Sequence, residues 1–152
     1  METKVIENSL FFSEVDSRIS AGEKVRIRAG GNSMLPFIRD NRDEIILQKT
    51  HERSFRKGNL LLVRLKDKRF VLHRIAKLND HTVILRGDGN LSIFETCTRS
   101  DVIAEVSAVL RDGSRAITKG SFRWNAYRYL WPGNSILRRV GLALYRKIPF
   151  LH

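Results

Sequence analysis

"NLLLVRLKDKRFVLHRIAKLNDHTVILRGD", residues 59–88, holds three apolar runs with almost nothing between them. The runs "NLLLVRLKD" (59–67), "RFVLHRIAKL" (69–78) and "TVILRGD" (82–88) are rich in Leu, Val and Ile, and each has the length of a strand. The joints "DK" and "NDH" leave no room for the crossover helix that parallel strands need. That excludes a doubly wound parallel sheet and predicts a mainly β, antiparallel, barrel-like body. Two further strand-like runs flank the three: "DEIILQKT" (43–50), followed after a gap by the turn "RKGN", and "VIAEVSAVLRDG" (102–113). Further upstream, "KVRIRA" alternates apolar and polar side chains as a half-buried strand does.

The two ends of the chain read differently. Phe11, Phe12, Val15 and Ile19 recur at helical spacing, so residues 4–21 predict a helix that stops at Gly22. Past Gly113 the composition changes. Residues 114–152 hold eight bases and no acid, with both tryptophans and all three tyrosines. The other 20 bases face all 16 acids, so the excess positive charge belongs to the tail. We therefore divide the chain into a body, residues 1–113, and a basic, aromatic-rich tail, residues 114–152. The tail breaks at Pro132-Gly133, after which Asn134 or Ser135 caps a last helix, "SILRRVGLALYRK". On it Ile136, Leu137, Val140 and Leu144 fall on one side and Arg138, Arg139 and Arg146 roughly opposite, with Leu142 breaking the pattern.

Composition sets limits on function. At 152 residues the chain suffices for one domain with a real core. Its single cysteine, Cys97, forms no internal disulfide. No apolar run reaches the roughly 20 residues that span a bilayer. The opening "METKVIENSLFFSEVDSRIS" is interrupted by acids, unlike a signal peptide, so a cytoplasmic protein is expected. Nothing calls for a cofactor or a metal.

Chemistry concentrates in a few places. "GGNSMLPF" (30–37) combines permissive glycines, Ser33 and a proline. A serine becomes a nucleophile only when a base takes its proton. Of the four histidines, His73 stands out, because alternation puts it on one strand face with Val71 and Ile75. Asp88 follows in "LRGDGN". Each has an ordinary reading: Ser33 and Asp88 as turn residues, His73 as a satisfied core histidine.

Taken in order, "GGNSMLPF", "KGNLLLVR", "FVLHRIAKL" and "VILRGDGN" resemble the serine peptidases of the signal peptidase clan, which includes signal peptidase I and the LexA-type self-cleaving repressors. The likeness runs from about Lys24 to Gly113. It implies the clan's catalytic fold and a serine endopeptidase with Ser33 as nucleophile. His73 precedes Arg74 where the archaeal and endoplasmic-reticulum subtype has its histidine base. Asp88 matches the acidic box, with Glu95 as the alternative third member. Backbone groups of Gly31, Asn32 and Ser33 would form the oxyanion hole, and Met34 and Pro36 would shape the cleft against substrate. Three positions depart from the clan's pattern: Gly31 replaces a usual Ser or Thr, Asn59 replaces the usual Asp, and Phe94-Glu95 stands where a further Asp is common.

The resemblance implies a peptide substrate with a leader sequence, cut after small residues such as Ala-x-Ala. The tail suits either an anionic membrane surface, as a peripheral anchor, or packing on the body. Nucleic acid is disfavoured, since no recognised binding motif surrounds Trp124 and Trp131 and no helix-turn-helix precedes the body. The departures motivate an alternative: an inactive scaffold that serves as a membrane-surface or partner-binding module.

Overall fold

The computed structural model describes residues 2–148, with side chains from Ser9 onward. An N-terminal helix α1 (Glu2–Ser20) precedes eight strands: β1 (Val25–Arg28), β2 (Glu44–Gln48), β3 (Leu60–Arg64), β4 (Phe70–Leu78), β5 (Val83–Arg86), β6 (Glu95–Cys97), β7 (Val102–Arg111) and β8 (Arg115–Thr118). Helices α2 (Phe122–Leu130) and α3 (Ser135–Lys147) follow. All strand pairings are antiparallel.

The sheet runs β1-β2-β7-β3-β4-β5-β6, with β8 alongside the far end of β7. Here the expected barrel-like closure has to be corrected. Among the described residues β1 pairs only with β2 and β6 only with β5, so the sheet is open. Both terminal strands are short, four and three residues, and helices cover apolar surface that closure would have hidden. Val15 and Ile19 of α1 and Trp124 of α2 enter the main core beside Phe37, Ile45, Leu47 and Val109.

β3 lies at the middle of the packing. Leu60 and Leu62 face the main core, while Leu61 and Val63 face a second cluster with Ile75, Val83, Leu85 and Cys97. A strand buried on both faces reads as a continuous apolar run, which is what "LLLV" is. β4 pairs with β3 over residues 70–74 but with β5 only from Arg74 onward. The outer edge of residues 70–73 therefore carries no strand among the described residues.

The composition change at Gly113 is not a break in the structure. β8 continues the same sheet through β7, and Trp124 is 1% exposed within the core. α3 turns the side of Arg138 and Leu142 to the body, both buried, whereas Ile136, Leu137, Val140 and Leu144 are exposed. The leucine that broke the sequence pattern is the one that packs.

Candidate active site

Ser33 sits in the loop between β1 and β2, and apolar neighbours fix that loop. Met34, Phe37 and Ile38 are all at or below 3% exposure. Phe37 meets Trp124 edge-on, with ring centroids 5.4 Å apart. Beneath the loop, the fully buried Asp43 carboxylate takes Arg39 Nη2 at 2.6 Å and Arg111 Nη1 at 3.1 Å. Burial pushes the Asp43 carboxyl up, but the hydrogen bonds from Arg39 and the charges of Arg111 and Arg39 hold it below its ordinary value. Gly31 has φ +90, in the left-handed region, and its N–H donates to Asp40 Oδ1 at 2.7 Å.

A second loop clamps the first. Gly89 N–H donates to Ser33 O at 2.8 Å. A Cβ on Gly87 would collide with Ser33 O, and one on Gly89 with Asn32 O. The two glycines of "RGDGN" are what let the β5–β6 loop lie against the serine segment. In the sequence they carry only the signal of a turn.

His73, on β4 opposite Leu61, is 5% exposed. Its Nδ1 is buried without a hydrogen-bond partner among the described residues. Burial lowers the imidazole pKa from its ordinary value, against the opposing charges of Glu95 and Asp88, so the ring is held neutral. Ser33 and His73 line one small cavity of about 110 Å3, together with Gly31, Met34 and residues 70–72 of the open β4 edge.

No protein-family model and no curated protein matches this chain. Function must be read from the site itself.

The remaining candidates are placed as follows. The Asp88 carboxylate is not bonded to His73. It holds Arg74 with two hydrogen bonds, Nε at 2.9 Å and Nη2 at 2.7 Å, and is 1% exposed. Arg74 also donates to Gly58 O at 2.9 Å. Glu95 accepts from Arg69 at 3.2 and 3.4 Å. Met34 lines the cavity while packing in the core; Pro36 is buried, and its carbonyl accepts from Arg111 at 3.5 Å. Gly31 N–H is committed to Asp40, but the N–H groups of Asn32, Ser33 and Met34 have no acceptor among the described residues. Among those residues no cluster of His, Cys, Asp and Glu is able to hold a metal ion, and no helix is long and apolar enough to cross a membrane.

Two features leave no mark in the sequence. One is the buried Arg74–Asp88 pair, whose partners are 14 residues apart on different elements. The other is Arg138, only 7% exposed, which donates to Gly87 O at 2.8 Å and to Asn90 O at 3.2 Å. Nothing in a run of surface-type arginines marks one for burial.

Proposed function

We propose that the protein is a serine endopeptidase of the signal-peptidase type, in which Ser33 attacks a peptide carbonyl and His73 serves as general base. One observation supports this reading above the rest: Ser33 and a neutral, buried histidine share a cavity. A satisfied core histidine would have its ring nitrogens bonded, and among the described residues His73 Nδ1 is not.

The steps follow from the site. An extended substrate lies along the open edge of β4 at residues 70–73, which offers backbone groups for strand addition. His73 takes the Ser33 hydroxyl proton as Oγ bonds to the carbonyl carbon. The uncommitted N–H groups of Asn32, Ser33 and Met34 are the candidate donors to the oxyanion, in place of the side-chain hydroxyl that Gly31 lacks. The imidazolium then returns its proton to the leaving amine, and water hydrolyses the acyl-enzyme by the reverse sequence. Asp88 and Glu95 act on His73 through their charge, each favouring the imidazolium, while their oxygens are bonded to Arg74 and Arg69. The small cavity suits a small side chain beside the cut bond, consistent with a leader peptide ending in residues such as alanine.

Digestion of a peptide library tests this reading. Ser33→Ala and His73→Ala should each lose cleavage by at least a thousandfold while keeping the wild-type far-UV spectrum. Undiminished cleavage by both variants contradicts it.

A specific observation also favours the second reading, a membrane-surface module. Ile136, Leu137, Val140 and Leu144 form an exposed apolar arc on α3, with the cationic Arg139 and Lys147 nearby on the same helix. The two readings are compatible: α3 would hold a peptidase at an anionic bilayer, at the cytoplasmic face where leader-bearing substrates arrive.

A further inference from the structure

A larger cavity of about 550 Å3, lined by Asp88 of the β5–β6 loop but not by Ser33, lies elsewhere in the molecule. Five cations line it: Lys57, Arg74, Arg86, Arg128 and Arg138. The lining holds one carboxylate, Asp88, already taken by Arg74. Among the described residues, the other four cations form no ion pair. Arg74, Arg86 and Arg138 are each no more than 9% exposed.

Backbone carbonyls satisfy much of their hydrogen bonding. Arg86 donates to Asn90 O at 3.2 Å and Gly133 O at 2.6 Å, and Arg138 to Pro132 O at 2.8 Å. Carbonyl dipoles solvate a guanidinium but do not neutralise it, so the site keeps a formal excess of positive charge in a sheltered place. Burial and the neighbouring Arg86 push Arg138 down to about 10, with Arg74 adding to the effect and Asp88 opposing it. Arg138 Nη2 carries no hydrogen bond among the described residues and is free to serve a ligand. Aromatic walls complete the cavity: Tyr127, Tyr129 and Trp131, the last fixed by a bond from Nε1 to Asp88 O at 2.8 Å.

We propose that this cavity is a binding site for a small phosphate-bearing molecule with an organic portion, of about mononucleotide size. Planar guanidinium forks match phosphate oxygens in pairs, and the aromatic wall takes the organic part. The volume lies in the range of small-molecule sites. This assignment does not depend on Ser33 chemistry. It does place the ligand against the same loop that clamps Ser33, whose Gly87 and Asp88 carbonyls Arg138 holds.

The test is titration of the full chain with adenosine monophosphate, read by tryptophan fluorescence and calorimetry. Saturable one-site binding is expected, at least tenfold tighter than for adenosine. Lys57→Ser with Arg128→Gln should weaken it at least tenfold, as should Arg138→Gln. A double change of equal charge elsewhere, Lys24→Ser with Lys66→Ser, should leave it unchanged. Trp131→Phe should remove the fluorescence response, with calorimetry reading the weaker binding left when the indole wall is lost. If Arg138→Gln does not fold, the rim pair Lys57 and Arg128 decides alone. Absence of saturable binding overturns the proposal. So does equal weakening by the control pair, which would mean only a diffuse cationic field, and so does adenosine binding as tightly as the monophosphate.

Discussion

His73 is defined by what it lacks. A ring 5% exposed with an orphan Nδ1 resists protonation, since the imidazolium would be a buried charge without a bonded acceptor. The neutral form is the one a general base needs, so kcat/KM for peptide cleavage should rise with pH and level off, its midpoint below 6.5. Folding stability should follow the same sign. A depressed folded pKa means the native state binds the proton less readily than the unfolded chain, so this contribution is complete above pH 6.5 and declines below it. Asp88 is a different case. Its oxygens are committed to Arg74, and Asp88→Asn would leave a buried guanidinium unpaired. We expect a loss of about 3–5 kcal/mol in denaturant unfolding, with catalysis falling as well because the imidazolium loses the favouring charge of Asp88.

At the scale of elements, two loops make the site and two glycines make the loops compatible. Gly87→Ala places a methyl against Ser33 O. It should cost about 1–3 kcal/mol and lower turnover more than substrate binding, because the nucleophile is displaced. On α3 the Asn134 side chain accepts from Ile136 N–H at 2.8 Å and Leu137 N–H at 3.4 Å, so Asn134→Ala should cost about 1 kcal/mol in thermal melts. The elements were unevenly legible in the sequence. Strands β3, β4, β5 and β7 lie in runs that pattern alone marks, because burial on one or both faces writes itself into residue type. β6 has three residues and β8 lies within "SRAITK", too short and too polar to signal. For α3, periodicity finds an apolar side but does not say whether the body or the solvent receives it. The nearness of Ser33 to His73 is likewise written in no spacing. It arises because Met34, Phe37 and Ile38 anchor one loop over the open edge of β4.

For the whole molecule, charge and openness matter most. Among the described residues the sheet ends in two unpaired edges, and its core is completed by helices from both sides of the sheet's sequence span. Asp43 and Glu105 are buried carboxylates whose bonds to cations and amide groups hold them below their ordinary values of 3.8 and 4.5 despite burial. Their stabilisation is present above those values and is lost as pH falls through the lower folded ones, so acid unfolding should steepen below about pH 4. The exposed arc of α3 predicts binding to vesicles of anionic phospholipid, reduced at least tenfold by Leu137→Glu with Val140→Glu and weakened by salt. The central claim, that Ser33 is an activated nucleophile, is tested most directly by a fluorophosphonate probe with the modified residue mapped by mass spectrometry. The account predicts stoichiometric labelling at Ser33, faster above pH 6.5 than below and abolished by His73→Ala. Failure to label Ser33 in the folded protein, or labelling indifferent to His73, contradicts it.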